Sequence, residues 1–164
     1  MLKLHKWKSL NRTQRLKWLM KARDAKFSST HEKPDAAARH EFAIEGSNID
    51  NLLGFLAALG EAVNGPGGYM GISLGAMIDC LYGGFGVTLP FRLRIKNSSQ
   101  CQANLGNKQL VIWAKEQLAQ ANFHDEEGEN WLMDLTLGAG QYNTLFDLIV
   151  GSLREHEVEV ILED

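Results

Sequence analysis

Hydrophobic residues occupy every second position in three short runs of the chain. These runs are Phe42 and Ile44; Phe91, Leu93 and Ile95; and Val158, Val160 and Leu162. A period of two residues is typical of strands that bury one face, so each run predicts a strand. In the middle run the intervening residues are Arg92, Arg94 and Lys96, which predicts a strand with one buried face and one basic face.

Between these runs, hydrophobic residues recur at every third or fourth position, which predicts amphipathic helices. Ser47, with Asp50 in the capping-box position, is expected to start the first helix, and the Gly-Pro-Gly-Gly run of residues 65–68 ends it. Ser73 is expected to cap the second helix. Two further helices are predicted, over residues 107–121 and 143–156. The order strand, helix, helix, strand, helices, strand predicts an α/β layer fold.

Residues 1–40 are predicted to form an extension that precedes a domain of residues 41–164, because they contain no run with a period of two. A short basic amphipathic helix is expected in the extension from about Thr13 onward. Its helical spacing is set by Leu16, Leu19, Met20 and Arg23. Three roles fit such a helix: it binds phosphates or an anionic membrane, it docks on the acidic surface of its own chain, or it is a partly ordered solvated arm.

The formal net charge of −3 conceals two parts of opposite sign. Residues 1–40 carry 11 Lys and Arg against three Asp and Glu, a net charge of +8, whereas residues 41–164 carry six against 17, a net charge of −11. An acidic domain repels nucleic acid and speeds its encounters with basic proteins, so a basic protein partner is expected. The alternative is that the acidity only keeps the protein soluble.

Several classes of site find no support in the sequence. Cys80 falls in an apolar helical pattern and Cys101 in a polar loop, so both are expected to be thiols. The five histidines are scattered, and we therefore predict no metal site and no other cofactor. Neither glycine cluster, in residues 65–71 or 83–86, has the spacing of a dinucleotide-binding loop, and no nucleophile motif is present. Catalysis is therefore not expected.

The chain also lacks the sequence marks of export and membrane insertion. No run approaches the roughly 18 apolar residues of a membrane helix, and the first 50 residues show neither the apolar core nor the cleavage site of a secretory signal. We therefore expect a cytoplasmic protein without a membrane partner.

Residues 68–86 contain the strongest candidate for a functional surface. The predicted helix after Ser73 has an apolar face formed by Leu74, Met77, Ile78 and Leu81. At 100° per residue, Gly75 and Asp79 lie on a different face, so Asp79 should point outward. Gly71, Gly75 and Ala76 would keep the surrounding surface low enough for the backbone of another protein to approach. The alternative is that Asp79 is an ordinary solvated charge.

The same segment resembles the central motif of the barstar family of ribonuclease inhibitors. The resemblance is carried by Tyr69-Met70-Gly71, Leu74, Ala76-Met77, Asp79-Cys80-Leu81 and the turn Gly83-Gly84-Phe85-Gly86. The resemblance extends over roughly residues 41–106 and again over residues 142–164, where residues 90–95 look like the second strand of the family and residues 146–164 like its last helix and strand. The resemblance implies a small parallel sheet packed against helices, with a loop and the second helix plugging the active site of a ribonuclease.

The resemblance also implies roles for single residues. Asp79 would be the central anion, placed where the phosphate of the substrate would lie, and Tyr69 would be a packing contact. The surrounding contact surface would be formed by Gly71, Ser73, Gly75, Ala76 and Gly83. On this basis we expect an inhibitor of a ribonuclease, or an immunity protein against a nuclease-type toxin.

The chain departs from the family pattern in two ways. Gly75 stands where barstar has a second acidic residue, and no acid near Val150 matches the one in the last helix of barstar. Either the target is a different enzyme, or Glu155 and the acidic cluster of residues 125–129 supply the missing charge. Residues 122–140 make the chain longer than barstar and are predicted to be an insertion. The insertion is either a further partner-binding loop or a tolerated surface segment.

The alternative function is a regulatory or nucleic-acid-associated module. In it, residues 1–40 bind nucleic acid and the acidic domain recruits a protein. Binding through the arm should fall steeply with salt and vanish when the arm is deleted, whereas an inhibitor is expected to keep its activity without the arm.

Overall fold

Three parallel strands form the sheet: β1 (Glu41–Glu45), β2 (Phe91–Lys96) and β3 (Val158–Leu162). The computed structural model describes residues 4–28, 40–121, 126–136 and 140–164. β2 lies in the centre, where Leu93 pairs with Phe42 on one side and with Val160 on the other. The predicted alternation is confirmed for all three strands except at Leu162, which is 43% exposed at the end of an edge strand.

The helices found in the described residues complete the predicted α/β fold. They are α1 (Arg12–Ser28), α2 (Leu52–Asn64), α3 (Leu74–Tyr82), α4 (Ser98–Asn104), α5 (Asn107–Ala121), α6 (Glu126–Thr136) and α7 (Leu145–Glu155). Short 3₁₀ turns cover Lys6–Ser9 and Gly46–Asn48. None of the helices described is long and apolar enough to cross a membrane.

The predicted start of the first core helix is wrong. α2 begins at Leu52, because the side-chain oxygen of Asn51 accepts a hydrogen bond of 2.9 Å from the backbone N–H of Gly54. Ser47 lies instead in the 3₁₀ turn after β1, where its backbone N–H donates to the carboxylate of Glu45 at 3.0 Å. The end of α2 is as predicted, at Asn64, and Gly65 follows with a φ of 80°.

α2 is the central helix of the core, since every residue from Leu53 to Glu61 is buried. It packs against β1 on one side and against α1 on the other. Such burial on all sides explains why its sequence is apolar almost all round rather than along one stripe.

The N-terminal residues share this core. Trp7 is 1% exposed and Leu19 is fully buried, and both belong to the same hydrophobic cluster as the strand residues. Of the three roles considered for the basic helix, docking on its own chain is the one that the structure shows. Residues 4–28 therefore pack into the same core as the described strands and helices that follow residue 40.

The predicted apolar stripe of α1 needs a correction. Leu19 is buried as expected, but Leu16 and Met20 are 37% and 40% exposed. The buried stripe is formed by Arg15, Leu19 and Ala22. Arg15 is buried because its guanidinium pairs with Asp50 and lies over the ring of Trp7.

The last two predicted helices are observed, and the predicted insertion contains a third. α5 has the predicted bounds, and α7 begins after Thr144, whose side chain accepts from the backbone N–H of Asp147 at 3.0 Å. α6 occupies residues 126–136 and touches α5 through an edge-on contact between Trp131 and Trp113, with ring centroids 6.2 Å apart. The rest of the insertion, residues 122–125 and 137–139, lies outside the described residues.

Candidate functional site

α3 is built as its sequence pattern predicts. Its N-cap is Ser73, whose Oγ accepts from the backbone N–H of Ala76 at 3.1 Å. Met77 and Leu81 are buried in the core, whereas Leu74 and Ile78 are only partly buried at its edge. Gly75 and Asp79, one turn apart, are both exposed, so the predicted outward orientation of Asp79 is confirmed.

The loops on either side of α3 are tied together by Asn64. Its side-chain amide donates to the carbonyl oxygen of Tyr69 at 3.0 Å and to that of Phe85 at 2.8 Å. A Cβ at Gly60 would collide with the carbonyl oxygen of Gly68, so the loop crosses α2 in close backbone contact. The loops before and after α3 are therefore held in place, which fixes the orientation of the outer face of α3.

The structure divides the seven predicted contact residues into two groups. Tyr69 is 5% exposed beneath Phe27 and Phe85, with ring centroids 6.4 and 5.9 Å away, and Gly71 is buried against the backbone of Met77. These two residues shape the loop from within and offer a partner almost no surface. The others, which are exposed or half-buried, form the outer face: Ser73, Gly75, Ala76, Asp79 and Gly83.

Two residues that the sequence analysis missed extend this face. Tyr82 is 64% exposed and lies three residues after Asp79, on the same side of α3. Its hydroxyl is 2.9 Å from Nδ1 of His156, the residue that follows α7. Helical spacing from Asp79 could have found Tyr82, but no local pattern connects it with a histidine 74 positions away.

One cation of the N-terminal helix lies near α3. Burial, helped by the carboxylate of Asp79 and opposed by the ammonium group of Lys26, raises the pKa of the Cys80 thiol to about 11. The same ammonium nitrogen lies 6.0 Å from the centre of the Phe85 ring. Asp79 and Lys26 thus act on one buried thiol, and the surface beside α3 carries charge of both signs.

The cations of β2 are held by acids on the neighbouring strands. Nε of Arg92 donates to Glu159 at 3.0 Å, and Nε of Arg94 donates to Glu163 at 2.7 Å. Both arginines also pair with Glu41, and these carboxylates raise the pKa of each guanidinium. The basic face predicted for β2 is therefore largely neutralised in the sheet.

A cleft of about 160 Å³ opens between α1 and α5 and reaches Ser73 at the start of α3. Its lining is mainly apolar and amide side chains, including Leu16, Trp113 and Gln117, with an ion pair between Arg12 and Glu116. Among the described residues that line it, none is a histidine or a cysteine. In the part of the chain that the structure describes, no three His, Cys, Asp or Glu side chains are grouped so that they could hold a metal ion.

No protein-family model, curated protein or solved structure matches this chain. The resemblance to the barstar family rests on the sequence motif around α3, and it stays a prediction. The observed fold, a small parallel sheet packed against helices, is of the kind that the resemblance implies.

Proposed function

We propose that this protein inhibits a ribonuclease or a nuclease-type toxin by covering the active site of that enzyme with the loop and helix of residues 68–82. The observation that carries the proposal is the outer face of α3. There the carboxylate of Asp79 stands exposed between Gly75 and Gly83, on a helix whose opposite side is locked in the core.

Gly75 supports a docking role because the packing of the chain does not require it. A Cβ built at this position meets no atom within 4 Å, and its φ is not in the left-handed region. Glycine in a helix costs up to about 1 kcal/mol relative to alanine. Glycine at position 75 therefore weakens the helix without being needed for packing. Its presence is explained if the backbone of a partner comes close at this point.

Charge indicates the class of partner. A nuclease active site gathers cationic groups around the phosphate of its substrate, and a carboxylate on a low, rigid surface can occupy the same position. The +8 of residues 1–40 offsets most of the −11 of residues 41–164 and leaves a net charge of −3, so the attraction for a basic enzyme would come from local carboxylates such as Asp79 rather than from the net charge. Cytoplasmic inhibition of a toxin or ribonuclease is consistent with these features.

The alternative, nucleic-acid binding by the N-terminal arm, is less well supported. Three of its arginines already hold acidic partners within the chain: Arg12 with Glu116, Arg15 with Asp50 and Arg23 with Asp24. Each such pair leaves one cation fewer for phosphate contacts. Deleting the arm would also remove Trp7 and Leu19 from the core, so point variants must replace deletion as the test.

The proposal is tested with a panel of purified basic ribonucleases and nuclease toxins, each cleaving a fluorogenic RNA or DNA. The wild-type chain is compared with Asp79→Ala and with Glu159→Ala, a matched control that removes an exposed carboxylate from β3. We expect wild type and the control to inhibit at least one enzyme equally, and Asp79→Ala to weaken inhibition by about 30-fold or more, as for an interface hot spot. Inhibition of no enzyme, or equal inhibition by all three proteins, would overturn the proposal.

A further inference from the structure

Tyr82 is the most exposed large hydrophobic residue on α3, and the fold makes little use of its ring. It is 64% exposed, whereas its neighbour Leu81 is 2% exposed. Its position three residues after Asp79 places the ring on the same side of the helix as the carboxylate. Tyrosine is enriched among the residues that carry most of the energy of protein interfaces.

A second element fixes the side chain of Tyr82. The hydroxyl lies 2.9 Å from Nδ1 of His156, and the two rings meet nearly edge-on, with centroids 5.7 Å apart and planes at 75°. His156 itself is held at the end of α7, where its backbone N–H donates to the carbonyl oxygen of Leu153 at 3.1 Å. The ring of Tyr82 is thus ordered before any partner arrives, which lowers the entropy lost on binding.

The surroundings of the pair are acidic. Glu155 is adjacent to His156 in the chain and accepts a hydrogen bond of 2.8 Å from the hydroxyl of Tyr142. This bond raises the pKa of the Tyr142 phenol. Asp79 lies one turn before Tyr82 on α3, and Glu155 precedes His156 at the end of α7, so each of the two elements that carry the pair also carries a carboxylate. An aromatic face in such a setting attracts a cationic side chain, above all the guanidinium of arginine.

We propose that Tyr82, oriented by His156, is a second anchor of the partner-binding face, and that it receives an arginine or lysine from the rim of the enzyme's active site. This inference rests on the proposed function and extends the face from α3 to the end of α7. Tyr82 makes the contact, and His156 is a positioning residue that acts through it.

The experiment uses the enzyme that the full chain inhibits most tightly in the panel described above. Tyr82→Ala is expected to weaken inhibition by about 10-fold or more, and Tyr82→Phe, which keeps the ring, by only a few-fold. Leu162→Ala is the matched control, because Leu162 is 43% exposed at the end of β3. This control should inhibit as the wild type does.

The role of His156 is tested by rescue and by coupling. His156→Ala is expected to weaken inhibition several-fold, and to add nothing when Tyr82 is already alanine. His156→Gln should lose much less inhibition than His156→Ala, because the glutamine amide can either donate a hydrogen bond to the Tyr82 hydroxyl or accept one from it. Thermal unfolding of each variant shows whether it is folded. A His156→Ala effect that is additive with Tyr82→Ala, or that glutamine does not rescue, would overturn the positioning role.

The outcomes separate this inference from the proposed function. If Asp79→Ala weakens inhibition while Tyr82→Ala inhibits as the wild type does, the inference is wrong and the proposed function stands. If the wild-type chain inhibits no enzyme of the panel, both are wrong.

Discussion

The indole N–H of Trp7 donates a hydrogen bond of 3.0 Å to the carboxylate of Glu61, and both residues are buried. The backbone N–H of His5 donates to the same carboxylate at 3.0 Å, and Nδ1 of His5 lies 3.1 Å from it. A buried carboxylate must be held by such donors. The residues before α1 therefore satisfy a buried carboxylate near the end of α2.

This arrangement predicts that α1 contributes to stability as a core helix does. Leu19→Ala should lower the free energy of unfolding by about 2–5 kcal/mol, because it leaves a cavity at a fully buried position. Leu16→Ala, at a position 37% exposed on the same helix, should cost less than about 1 kcal/mol. Urea denaturation of both variants measures the difference. Equal, small losses would show that α1 does not dock as described.

The two glycines of the docking segment should respond in opposite ways to alanine. Gly75→Ala is expected to raise the free energy of unfolding by up to about 1 kcal/mol, since its Cβ enters open space, and to weaken inhibition. Gly71→Ala should destabilise by about 1–3 kcal/mol, because its φ is 106° and its Cβ would lie 2.6 Å from the backbone nitrogen of Met77. Denaturation and inhibition assays on the two variants test this pair. A Gly75→Ala variant that inhibits fully would remove the argument for close approach of a partner's backbone.

The sequence predicted most of the fold because the decisive patterns are local. Alternation marked all three strands, and Ser73 marked the start of α3. The prediction at Ser47 failed because Asn51, four residues later, caps the helix instead, while Ser47 lies in a 3₁₀ turn that the Glu45 side chain caps. Both residues are of types that cap helices, and the local pattern does not decide between them.

The candidate site was only partly predictable, for a different reason. The exposure of Asp79 follows from helical geometry, but the burial of Tyr69 depends on Phe27, which lies 42 positions earlier in the chain. The pair of Tyr82 and His156 likewise joins distant segments. Tertiary contacts of this kind leave no periodic trace in the sequence.

Both thiols are expected to be unreactive in the folded protein. Burial raises the pKa of Cys80 to about 11 and that of Cys101 to about 12, so thiolate is scarce at neutral pH. Ellman's reagent should therefore label neither thiol in native protein and both in denaturant. Rapid labelling of one thiol under native conditions would show that its helix opens locally.

Asp164 should make stability depend on pH in the acid range. Its carboxylate accepts from the backbone N–H of Ser99 at 2.8 Å, from the hydroxyl of Ser99 at 2.5 Å and from that of Ser98 at 3.1 Å. These hydrogen bonds, those from Ser99 first, lower its pKa in the folded state. Because the pKa of Asp164 is lower in the folded state than in the unfolded state, the charged carboxylate stabilises the fold at pH values above the unfolded pKa, about 4. This stabilisation is lost as the pH falls below about 4 and through the pKa of the folded state.

Asp164→Asn should therefore lower stability at neutral pH and flatten the loss of stability in acid. The asparagine keeps an acceptor oxygen but not the charge, so its hydrogen bonds to the serines are weaker. Asp134→Asn, at an exposed position on α6, serves as the control. Urea midpoints measured from neutral pH down to about pH 3 give the comparison. If Asp164→Asn has the same stability profile as wild type across this range, Asp164 does not join the end of β3 to the start of α4 in the way these distances indicate.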